Sequence, residues 1–209
     1  MKKVLFVILT LLTVLFYSCT GCKNKNTEEV ITDSIAEWVV ENVTNADKQY
    51  MFTNYGKDYR WFESCIVLKD FLDEECDGTV TGISNVFQVV EESAGGADVF
   101  VVLAAHTPDT TAYEVKNGFW VEDFPMNDDS IKVTFAEAFE KINQVNFPKP
   151  HSRHVVLRKQ VGPVAANPQY IFGNAQAQLY VDAVTGDVTD KNPCFPEDKG
   201  FKMPLGEWP

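Results

Sequence analysis

Three histidines and five cysteines carry most of the reactive chemistry available to this chain of 209 residues. His151 and His154 stand three apart and could place two imidazoles beside one metal ion, with His106 as a distant third ligand. The stretch is flanked by proline rather than helical, and zinc needs three or four ligands with supporting hydrogen bonds, so no metal is expected. Asp73, Glu75, Asp77 and Gly78 have the spacing that opens a calcium loop. The twelfth position holds Ser84 where a bidentate glutamate is required, and a solvated turn is the expectation. No Gly-x-Ser-x-Gly, Ser-x-x-Lys or His-Glu-x-x-His occurs, so nucleophilic catalysis lacks a motif. Cys65 or Cys76 could serve as a nucleophile with a distant histidine, yet the apolar neighbours of Cys65 suit a core position. An enzyme would have to build its site near His106, His151 and His154. The polar segment His106-Thr107-Pro108-Asp109 reads more simply as a capped turn. No cofactor is expected, because Gly95-Gly96 belongs to a hairpin rather than a phosphate loop. For binding, Phe119 and Trp120 follow Gly118 at an expected hairpin tip and Trp208 stands in the tail. Exposed aromatics on rigid turns suit a protein partner or, as the alternative, a glycan, which would call for two or more coplanar exposed rings.

The elements that position these residues read as follows. Ser34 and Glu37 have capping-box spacing, and Ile35, Trp38, Val39 and Val43 form a helical stripe that should end between Asn42 and Asn45. Strands are expected at 49–53, 59–72, 79–91, 99–105 and 111–124, the last either one further strand or a hairpin pair about Asn117-Gly118. The pattern then restarts. Thr134 and Glu137 form a second capping box, Phe135, Ala138, Phe139, Ile142 and Val145 share a helical face, and Pro148 and Pro150 stop the helix. Strands follow at 154–161, 169–172 and 178–182, with Gly173-Asn174 turning the second into the third. The expected fold class is α+β, as two helix-plus-antiparallel-sheet units over residues 33–126 and 127–191, with an irregular tail over 192–209. One continuous α+β domain is the rival arrangement.

Met1-Lys2-Lys3 precedes an apolar run from Val4 to Tyr17. That run is shorter than the ~20 residues a spanning helix needs and has the layout of a secretory signal. Ser18-Cys19 after it resembles the lipobox of bacterial lipoproteins, in which the cysteine thiol takes a diacylglyceryl group and becomes the first mature residue. The resemblance implies a leader over 1–18, acylation of Cys19, a polar tether over 19–32, and an envelope location facing the periplasm or the cell surface. Cys22 is the second choice, because Cys19 stands three positions before it where Cys19 itself has the bulky apolar Phe16. Each buried methylene contributes about 0.8 kcal/mol, so two or three acyl chains anchor firmly. Loss of Lys2 and Lys3 with the leader takes the net charge from −12 to −14. Such a surface repels phosphate backbones, which disfavours nucleic acid as a partner. Outside the cytoplasm Cys22, Cys65, Cys76 and Cys194 could pair in three ways, among which spacing does not choose.

Residues 131–189 resemble a PepSY-type domain. The helix Thr134–Ile142 looks like that family's opening helix. The closing segment Tyr180-Val181-Asp182-Ala183-Val184-Thr185-Gly186-Asp187-Val188 resembles its Tyr-x-Val-Asp-Ala-x-Thr-Gly-Glu-Val ending. Here Tyr180 directly precedes Val181, and Asp187 replaces the glutamate. The Pro-rich stretch 146–151 and the long connection 160–168 also depart from the pattern. The resemblance implies a helix packed on an antiparallel sheet, an envelope or secreted setting, no catalytic residues of its own, and a role in restraining a peptidase or binding another protein. A tandem of such units is similar to the β-lactamase-inhibitor-protein-like fold, whose two units form a concave protein-binding face.

Overall fold

The computed structural model describes residues 38–93 and 96–195. Helix α1 spans Val40–Tyr55 and ends at Gly56, which takes a φ of 63° and returns its N–H to the Phe52 carbonyl. The strands β1 (Tyr59–Leu68), β2 (Val80–Ser93), β3 (Gly96–Thr107) and β4 (Thr110–Asn117) follow as an antiparallel meander. A two-residue strand β5 (Asp123–Phe124) and a 3-10 turn at Asp128–Ser130 lead to helix α2 (Phe135–Gln144). A second meander closes the chain, with β6 (His154–Gln160), β7 (Gln169–Gly173), β8 (Gln178–Asp182) and β9 (Val188–Thr189).

The expected pair of separate helix-plus-sheet units is overturned by one pairing. β1 bonds to β2 along one edge and to β6 along the other, Ser64 lying opposite both Asn85 and Leu157. The two meanders thereby fuse into one nine-stranded antiparallel sheet in the order β4-β3-β2-β1-β6-β7-β8-β9, with β5 beside β6. Only α1 and α2 accompany it as α-helices among the described residues, and a single apolar core runs beneath both. The physical cause is that a free β1 edge and a free β6 edge would each expose a row of unpaired backbone groups. Joining them satisfies both rows and merges their apolar faces.

Alternation in the strands sends Ile66, Phe87, Val102, Val155, Phe172 and Val181 to the face the helices cover. α2 forms where its capping box is expected. The Thr134 hydroxyl accepts the Glu137 N–H, and the Glu137 carboxylate accepts the Thr134 N–H. Phe135, Ala138 and Ile142 are the residues it buries. α1 departs from expectation: residues 49–53, expected as a strand, lie inside it. Its buried stripe is Val40, Val43, Thr44, Asp47 and Met51, and two polar members disguise the helical period. Ser34, Glu37 and Ile35 lie outside the described residues. The Asn117-Gly118 pair makes no hairpin either. β4 ends there, and the chain crosses to β6 instead of returning along β4. The tight turn sits at Pro108-Asp109, between the paired Thr107 and Thr110.

Candidate protein-binding surface

The segment after Gly118 is held from within and apolar outside. Trp120 donates its backbone N–H to Gln88 Oε1 of β2 at 2.8 Å and its indole N–H to Asp123 Oδ2 at 3.3 Å. β5 then pairs Asp123 with Gln160 and Phe124 with Lys159, and Met126 donates its N–H to the Trp61 carbonyl. Pinned in this way, the segment turns Phe119, Val121 and Phe124 outward with 69%, 78% and 47% of their surface exposed. Val161, one residue beyond the pairing partner of Asp123, is exposed as well. Four of the five exposed large hydrophobics among the described residues therefore belong to one end of the sheet. Phe119 is exposed, though not at the expected hairpin tip, while Trp120, expected to face a partner with it, is held by Gln88 and Asp123. Trp208, Cys19 and Cys22 lie outside the described residues.

Under this segment, on the face of the sheet away from the helices, three charged side chains meet. The Asp123 carboxylate is fully buried, and its Oδ1 stands 3.7 Å from Arg158 Nε. Glu63 of β1 stands 3.7 Å from Arg158 Nη1 and accepts a hydrogen bond from the Cys65 thiol at Oε1. Burial pushes the Asp123 carboxyl up to about 7, helped by the neighbouring Glu63 carboxylate and opposed by Arg158 and the Trp120 indole. The same burial, together with Glu63, pushes the Cys65 thiol up. Asp123 Oδ1, Arg158 Nε and Gln160 Oε1 are buried without a hydrogen-bond partner in the protein. Glu63, Asp123 and Arg158 belong to no motif; their signal in the sequence is a charge inside an otherwise apolar strand.

The three histidines do not come together. His106 lies in β3 and His154 in β6, three strand spacings or roughly 14 Å apart and on opposite faces. His151 is exposed, stacked on Phe71 at 4.0 Å and 2.9 Å from Asp73 Oδ1. That contact and the Asp77 bond to the Thr79 N–H occupy the acidic turn, which links β1 to β2. His106 instead belongs to a buried network beneath α1. Its Nε2 stands 2.8 Å from Asp47 Oδ1, and its Nδ1 lies 2.9 Å from the Thr111 hydroxyl. Facing a carboxylate, Nε2 carries the proton. Asp47 also accepts from Asn85 Nδ2 at 2.7 Å and from the Tyr113 hydroxyl at 2.9 Å, and Asn85 accepts from Ser64 and Thr44. With Asp47 fully buried and His106 5% exposed, this network ties α1 to β1–β4 and offers no route for a substrate. Among the described residues, no three His, Cys, Asp or Glu side chains cluster to hold a metal ion, and Cys65, Cys76 and Cys194 are free thiols. No helix among them is long and apolar enough to cross a membrane.

Comparison with models of protein families, with curated proteins and with solved structures returns no match.

Proposed function

We propose that this chain is a non-enzymatic, lipid-anchored protein of the cell envelope that grips another protein through the segment from Gly118 to Phe124. The observation that carries the reading is the contrast within that segment. Phe119 and Val121 stand in solvent on a backbone fixed by Trp120, Gln88 and the β5–β6 pairing. Exposed apolar groups on a rigid frame lose little conformational entropy when a partner covers them, which favours tight association. The anchor rests on the leader and Cys19, and the PepSY-like ending at 180–188 supports a peptidase as the kind of partner restrained.

A photo-crosslinking residue placed at Phe119 or Val121 of the full chain in living cells should yield one discrete protein adduct. The same residue at Phe52, also apolar and half exposed on α1, should not. Matching adducts at all three positions, or none at Phe119 and Val121, would refute the reading. Fatty-acid labelling should disappear in Cys19→Ala and persist in Cys22→Ala; the reverse pattern would move the anchor.

A further inference from the structure

The eight strands lying side by side from β4 to β9 span about 34 Å at the usual spacing. Two helices of about 10 Å diameter roof only part of that width. α1 packs over β1 and β2 and α2 over β8, and between them a cleft of about 160 Å³ opens over the middle of the sheet. Trp61, Leu157 and Tyr170 form its apolar floor, Lys48 lines it from α1, and Asp128 and Ile131 line it from the connection to α2.

We propose that this cleft binds a small organic acid, with a flat or branched apolar body on the floor and its carboxylate on the Lys48 ammonium. Lys48 is 13% exposed, and its Nζ lies 3.7 Å from the centre of the Trp61 ring. Burial lowers its pKa, and the nearby Asp128 and Asp47 only partly restore it. An ammonium so desolvated gains most from an anion that shares its dry surroundings. Its present partner does not share them: Asp128, at 2.7 Å, has 61% of its side chain in water. Exchange of that carboxylate for a ligand's returns Asp128 to solvent at little cost. The other acid of the cleft, Glu41, is engaged by the Phe135 N–H at 2.6 Å, and Asp47 is held by His106, Asn85 and Tyr113. The volume suits a compound of about ten non-hydrogen atoms, below the size of most drug-sized ligands.

The test is an NMR titration of the full chain, purified in detergent at physiological salt, with benzoate, benzamide and benzylamine. Benzoate should bind with a dissociation constant on the order of a millimolar and shift the Trp61 indole N–H signal. It should bind at least about fivefold more tightly than the neutral and cationic analogues, because only it forms a charge-assisted bond. Lys48→Met should erase that preference, and Asp128→Asn, at an exposed position, should strengthen benzoate binding by removing its competitor. Equal binding of the three compounds, no shift at Trp61, a preference retained in Lys48→Met, or weaker binding in Asp128→Asn would each overturn the proposal.

Discussion

Replacing Asp123 by asparagine separates the charge of a buried carboxyl from its shape. Folding raises this acid from 3.8 to about 7, first through burial and then through Glu63, against the pull of Arg158. An acid so raised stabilises the fold while it is protonated. The contribution is complete below about pH 4, where the unfolded chain is also protonated, and is lost as the pH climbs through about 7. The rise corresponds to at most about 4 kcal/mol. Water reaches the cluster from the Arg158 side, where that side chain is 26% exposed, and this screening reduces the expected effect to about 2 kcal/mol. Asparagine keeps the oxygen that accepts from the Trp120 indole and cannot ionise. Urea unfolding followed by circular dichroism near pH 4, 6 and 8 provides the assay. The two proteins should be nearly equal near pH 4, and Asp123→Asn should be more stable by about 2 kcal/mol near pH 8. For a chain of this length that equals a rise in Tm of roughly 4–8 °C. A difference that does not change with pH, or a wild type that is the more stable near pH 8, would refute the reasoning.

Three further outcomes follow from other parts of the structure. Asp47→Ala strips the acceptor from His106, Asn85 and Tyr113 at once; each orphaned buried donor costs about 1–3 kcal/mol, and urea unfolding should show a loss of roughly 4 kcal/mol, a large share of a typical domain's stability. Thr134→Ala removes the hydroxyl that accepts the Glu137 N–H and should cost about 1 kcal/mol in the same assay. Iodoacetamide should modify Cys76 well before Cys65 in the folded protein, because burial and Glu63 hold the Cys65 thiol in its unreactive form; peptide mapping showing Cys65 labelled first would contradict the buried cluster.

How much of this was legible beforehand depended on the range of the interaction that decides each feature. α2 and β8 were readable because their signals are local. A capping box and three apolar residues at helical spacing define one, and the short apolar run Leu179-Tyr180-Val181 followed by a Thr-Gly turn defines the other. The second half of α1 lacks a helical signature in the sequence because Thr44 and Asp47 occupy buried positions, and a carboxylate is stable there only with His106, Asn85 and Tyr113 around it. Those partners lie 38 to 66 residues away, so no window along the chain contains them. Asn117-Gly118 failed as a hairpin signal for the same reason. The bonds of Trp120 to Gln88 and of β5 to β6 draw the chain onward, and these long-range contacts outweigh a local turn preference.

The fused sheet is the largest case. Taken singly, β1 and β6 each look like an ordinary strand, and only the pairing of Ser64 with both Asn85 and Leu157 turns two meanders into one surface. Both candidate sites are products of that fusion. Glu63 reaches Arg158 because β1 lies beside β6, which buries Asp123 beneath the exposed Phe119 and Val121. The Lys48 cleft exists because a sheet this wide outruns the two helices that roof it. The aromatic pair beside Gly118 is a local cue, but which of Phe119 and Trp120 faces outward is set by the long-range bond of Trp120 to Gln88. The charges below it could be seen but not brought together, because their meeting is a property of strand order rather than of spacing.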